Sequence, residues 1–164
     1  MRCLDVAVST TGDGHGAADF DHDVRAVIAR GIREQGAIPT IAEAATLLRA
    51  DPAATDAAFA RLAEAHVFIP RRGSQEIYAY NPFCSEPTDF SVQAAGREWS
   101  AICGWDALGI PPALGTTGTV RTPCGDRCGE TITLEVGLGG VATGEAVFHS
   151  GVPSRQGWDD IYFT

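Results

Sequence analysis

The stretch HVFIPRRGSQEIYAYNPF, residues 66–83, decides the fold, because helical spacing ends there and strand spacing begins. Two short apolar runs flank an Arg-Gly-Ser turn, the pattern of a β-hairpin. Upstream, Val24, Val27, Ile28 and Ile32 recur at helical spacing and make one apolar stripe. GAIP breaks that helix, and Thr40 with Glu43 forms a capping box for the next. Ile41, Ala44, Leu47 and Leu48 are its inward face, ADPAATD reads as a turn, and Ala58, Phe59, Leu62 and Ala65 mark a third helix. Three helices followed by a hairpin have the order of a winged helix.

Downstream of Pro82 the composition shifts to strands and turns. DFSVQAA alternates in polarity, and TGTVRTPC and ETITLEVG form a hairpin joined by GDRCG. EAVFHSGVP and WDDIYFT are two further strand candidates. The expected architecture is α+β. A leader covers residues 1–20 and a winged-helix-like three-helix module covers 21–81. A small, mostly antiparallel sheet with one chemistry-bearing helix covers 82–164, truncated at its C-terminal end relative to a longer design.

A winged helix suggests DNA, but the charge argues otherwise. Twelve Lys and Arg face twenty-one Asp and Glu, a net charge of −9, whereas phosphate backbones are held by clustered cations. Arg61 is the only basic residue on the third helical segment, and only Arg71 and Arg72 decorate the wing. Nucleic acid is therefore not an expected partner. No apolar run approaches the roughly 20 residues that span a bilayer, so no membrane partner is expected either. The start, MRCLDVAVSTTGDGHG, lacks a secretory h-region. Five irregularly spaced cysteines do not make a secreted disulfide framework, so a reducing cytoplasmic location is expected. No G-x-S-x-G, Walker loop or dinucleotide fingerprint is present.

The chemistry then rests on the cysteines. AICGWDALGIPPAL, residues 101–114, sets Cys103 three residues before Asp106, so on a helix they share a face. With a helix start near Ser100, Cys103 lies in the first turn, where the dipole favours a thiolate. The two prolines are expected to end the helix. An ionised Asp106 raises the thiol's pKa, yet it can also take the thiol's proton. On spacing alone the plainer alternative is favoured: a buried cysteine acting as a small hydrophobe beside a capping carboxylate. Cys124 and Cys128 form C-x₃-C at the hairpin turn, half of a zinc site, which Cys84 and His149 would complete only across space. Free thiols are the simpler reading there, and a lone His149 before a turn reads as packing or surface.

The segment NPFCSEPTDFSVQAAGREWSAICGWDALGIPPAL, residues 81–114, resembles the alkylmercury lyase family. The likeness is carried by Trp99, then Cys103, Asp106 and Leu108 as Cys-x-x-Asp-x-Leu, then Pro112-Ala113-Leu114. Cys124 falls where the family has a structural cysteine, and the likeness runs from about Asp21 to Thr164. It tips the reading of Cys103 and Asp106 from incidental to catalytic. The resemblance implies protonolysis of a carbon–mercury bond: the thiolate matching Cys103 takes the mercury of R–Hg⁺, a soft ligand for a soft cation. The carboxylate matching Asp106 also belongs to that site and delivers a proton to carbon. Mercury is substrate and product, no cofactor is implied, and an external thiol or a mercury reductase accepts the ion. The family's second mercury-binding cysteine has no counterpart at its place. WDDIYFT puts Thr164 there, and an alternative registration through GEAVFHSG supplies His149. Cys84, Cys124 or Cys128 are the remaining substitutes. The competing expectation is a non-catalytic protein that binds a soft metal through its thiols.

Overall fold

A computed structural model describes residues 16–126, 128–140 and 142–147. Helix α1, Ala17–Arg30, begins four residues before the helical pattern at Asp21 and buries Val24, Val27 and Ile28. A single wide turn over Gly31–Gln35 extends it and buries Ile32. Gly36 then stops it at φ 73°, a left-handed conformation that glycine adopts without a Cβ penalty. Helix α2, Ile41–Leu48, starts at the expected box: Thr40 Oγ1 accepts from Glu43 N–H at 3.2 Å, and Glu43 Oε2 accepts from Thr40 N–H at 2.8 Å. The segment read as the turn ADPAATD is instead the start of α3, Pro52–Glu64. Asp51 caps it by accepting from Ala54 N–H at 3.2 Å. Pro52 takes the first helical position, where its missing N–H costs nothing.

The hairpin that follows is β1, Ile69–Pro70, with β2, Ile77–Tyr80. The remaining strands are β3 (Phe83–Cys84), β4 (Phe90–Ala94), β5 (Arg97–Ala101), β6 (Gly118–Pro123), β7 (Thr131–Val136) and β8 (Ala142–Thr143). They form one sheet in the order β1-β2-β3-β5-β4-β6-β7-β8, with every neighbouring pair antiparallel. The wing is thus the edge of the main sheet, and β2–β3 pairing carries the sheet across the shift in composition. Of the late strand candidates, EAVFHSGVP falls mostly, and WDDIYFT wholly, outside the described residues.

A single core cluster joins the helices to the sheet, from Val24 and Phe59 through Phe83 and Trp99 to Val120 and Val136. Phe59 meets Phe68 at a ring separation of 5.6 Å, and Phe83 meets Trp99 at 5.2 Å, both tilted, an arrangement that suits the aromatic quadrupole. Trp99 satisfies its indole by donating to Ala94 O at 2.9 Å.

Helix α4, Gly104–Ala113, lies against β3, β4, β5 and β6. Two expectations fail here. Ser100 is not a helix start: it belongs to β5, paired with Ser91 and Cys84, and the helix begins only at Gly104. Nor do Pro111 and Pro112 end the helix, which runs through both to Ala113. The physical reason is burial. Ile110 and Pro111 are fully enclosed against the sheet, which outweighs the preference of a pre-proline residue for extended backbone. The turn then closes with bonds from Leu114 N–H to Ile110 O and from Thr116 N–H to Pro111 O.

Among the described residues no helix is long and apolar enough to cross a membrane. The surface also bears on the DNA reading. Arg61 is held by both oxygens of Asp21, and Arg71 pairs with Glu86 at 3.2 Å. Two of the few cations on the helices and wing are thereby engaged within the protein.

Candidate active site

Strand β5 points its C-terminal end at Cys103, and the chain turns there into α4. Cys103 has extended backbone (φ −151°, ψ 171°) and is the N-cap of the helix, not a first-turn residue. That placement changes what the thiol can do. Its Sγ accepts from Asp106 N–H at 3.4 Å, filling the role that a hydroxyl or carboxylate usually plays at a helix start. In return Cys103 S–H donates to Asp106 Oδ2 at 3.3 Å. The thiol thus caps the helix and the carboxylate returns a bond to the thiol itself, and both groups are half-buried.

Burial is the main influence on each group. It pushes the Cys103 thiol above its ordinary range, with the Asp106 charge and its hydrogen bond adding to the rise. The backbone N–H groups of Asp106 and Trp105 work the other way, because they stabilise a sulfur anion. Burial also raises the Asp106 carboxyl, against a lowering by the thiol's hydrogen bond. The proton therefore rests on sulfur, and the Asp106 oxygen that accepts its hydrogen bond stands ready to receive it. When a soft cation displaces that proton, Asp106 is the nearest base, and its raised pKa strengthens it as a base and helps it hold the proton until carbon takes it.

The other cysteines stand apart from this pair. Cys84, raised mainly by burial, donates to Tyr78 O at 3.5 Å within the β2–β3 turn region. Cys124 follows β6 at the same end of the sheet as Cys103, but β4 lies between their strands. Two strand spacings put the backbones roughly 10 Å apart. Cys124 instead donates to Asp126 Oδ1 at 3.0 Å, and Cys128 N–H donates to the same oxygen at 2.9 Å. The Asp126 hydrogen bond pushes the Cys124 thiol up to about 11, while the two thiols hold the Asp126 carboxyl down at about 2. Among the described residues, no third Cys, His, Asp or Glu joins Cys103 and Asp106 in a chelating cluster. His149 and Thr164 lie outside the described residues. Trp99 is a core wedge at 7% exposure and not part of the thiol's surroundings by hydrogen bonding.

One neighbour went unremarked in the sequence. Trp105, 68% exposed, projects from the first turn of α4 between Cys103 and Asp106 in the chain. Its backbone N–H is one of the two that act on the Cys103 sulfur. Helix α4 is apolar on nearly every side, so no polar stripe in the sequence marks which aromatic would face outward.

A family model described as alkylmercury lyase, MerB, matches residues 83–164, half of the chain. Among solved structures, the fold is similar to one titled as the mercury-bound form of MerB2, with a TM-score of 0.56 and 19% sequence identity. That match covers 72% of this chain and 57% of the other, so this chain spans well under two thirds of its relative's length. No curated protein matches the chain.

Proposed function

The chain belongs to the alkylmercury lyase family, and from that premise we propose that it cleaves the carbon–mercury bond of R–Hg⁺ by protonolysis, with Cys103 as the mercury-binding nucleophile and Asp106 as the proton carrier. The observation that carries the reading is the reciprocal thiol–carboxylate contact at the start of α4. In the first step the Cys103 S–H proton passes to the Asp106 carboxylate as sulfur bonds to mercury. The Asp106 and Trp105 N–H groups stabilise the sulfur anion as it forms. In the second step the Asp106 carboxyl protonates the carbon, whose bonding pair comes from the Hg–C bond. R–H leaves, mercury remains divalent on Cys103, and Asp106 is again a carboxylate. No electrons are transferred, so the step needs no redox cofactor.

The exposed face of Trp105 suits the organic group, which must lie beside the thiol while carbon waits for its proton. An external thiol supplies the second sulfur and carries the ion away, to a reductase or a thiol pool, as fits a reducing cytoplasm. In this reading residues 82–164 carry the chemistry and residues 21–81 are scaffold, with neither nucleic acid nor membrane involved. The test is benzene release from a phenylmercury salt with excess monothiol. Release should be abolished in Cys103→Ser. Equal release by the parent and Cys103→Ser would end the proposal.

A further inference from the structure

The β6–β7 turn holds a second group of metal-ligating side chains that the lyase reading does not use. Two cysteines four residues apart supply half of a metal site, and the fold brings a third ligand between them. The ligand atoms of Cys124, Asp126 and Cys128 all lie within 4.8 Å of one another. With metal–sulfur bonds of about 2.3 Å, two sulfurs on one ion sit about 3.8 Å apart at tetrahedral geometry and about 4.6 Å apart at linear geometry. The group therefore closes on an ion with small side-chain adjustments.

The ladder closes the base of this turn. Pro123 pairs with Thr131 at the end of the ladder, and Cys124 N–H donates to Glu130 O at 2.9 Å. Three ligands within five residues of a closed hairpin lose little chain entropy on binding. The last position is open to solvent, because Asp126 and Cys128 are exposed, and Cys124 borders a cleft of about 450 Å³ whose lining includes Asp89, Phe90, Thr122 and Gly129. Such a cleft admits water or an incoming thiol as the last ligand.

We propose that Cys124, Asp126 and Cys128 form a binding site for a thiophilic divalent cation, distinct from Cys103. Two thiolates and one carboxylate suit zinc, and they suit the softer mercuric ion as well. Binding displaces the two thiol protons to solvent, with no change in oxidation state.

The test uses reduced Cys103→Ser protein, so that the proposed lyase thiol cannot contribute and the two proposals fail independently. Titration with Co²⁺ should give a sulfur-to-cobalt charge-transfer band and tetrahedral visible bands that saturate at one ion per chain. Adding Cys128→Ser or Asp126→Asn should weaken binding by at least about tenfold, as loss of a ligand exceeds the cost of disturbing a supporting contact. Cys128 and Asp126 are both exposed, so neither change removes core packing. Absence of a tetrahedral cobalt spectrum, or an unchanged titration after adding Cys128→Ser, would overturn the site. Zn²⁺ and Hg²⁺ arms separate the sources: zinc retained through dialysis marks a resident ion, and mercury retained after zinc has washed out marks a cargo site.

Discussion

Replacing Asp106 with asparagine tests the proton carrier, because both proposed steps pass a proton through its carboxylate while the thiol's own titration depends on its charge. Asparagine keeps the side-chain shape and the backbone N–H that bonds Cys103 Sγ at 3.4 Å. The start of α4 should therefore hold, and its amide oxygen can still accept the S–H. What disappears is the negative charge and the proton. Charge and hydrogen bond from Asp106 both raise the Cys103 thiol, while burial, the largest cause, remains. The thiol of Asp106→Asn should thus titrate lower than in the parent, without reaching a fully solvated value. Proton transfer by a positioned acid or base is worth about 10²–10⁴-fold, or about 3–5 kcal/mol of barrier. Hydrocarbon release from bound phenylmercury should fall by that factor, and mercury capture at neutral pH should slow as well, because the base that takes the thiol proton is gone. Peptide-resolved alkylation of Cys103 against pH reads the first effect, and single-turnover benzene release reads the second. The parent should also lose capture rate as pH falls through the raised Asp106 pKa, a limb that the asparagine variant lacks. A variant that releases benzene within about threefold of the parent rate is incompatible with Asp106 as proton carrier. So is a Cys103 thiol that titrates higher than before.

Other expectations are simpler. Thr40→Ala removes the α2 cap and should cost about 1 kcal/mol, lowering Tm by about 2–4 °C for a chain of this size. Glu43 sits below its ordinary value of 4.5 because the Thr40 backbone N–H and hydroxyl hold its charged form. Its contribution is therefore present above 4.5 and lost as pH falls through the lowered folded value. Glu43→Gln should flatten the stability profile in that acid range, and an unchanged acid limb in thermal melts would contradict the cap's role. Trp105→Ala should raise KM for an arylmercury more than for methylmercury, with stability changed by less than about 0.5 kcal/mol as for exposed sites. Equal KM changes for both substrates would remove Trp105 from the organic-group surface.

How far the sequence reached depended on the range of the interaction. The Thr40–Glu43 box, the alternation in β4 and the β6–β7 hairpin were legible because each is set by neighbours a few residues apart. The proximity of Cys103 and Asp106 was legible for the same reason, although its form was not. Spacing implied a shared helix face, whereas the structure has the thiol capping the helix and the carboxylate returning the bond. That difference comes from β5, which stays extended to Ala101 because Phe90 and Ser91 pair with it from across the sheet.

The residues alone determined an acidic chain with a helical first part, a stranded second part, and a thiol within reach of a carboxylate. Local sterics, capping and side-chain periodicity settle such features before the chain folds. Tertiary structure alone decided that the wing joins the main sheet, that β5 inserts between β3 and β4, and that α4 persists through two prolines. Those outcomes follow from burial and from pairing between distant segments, in which an enclosed Ile110 and Pro111 outweigh a local rule.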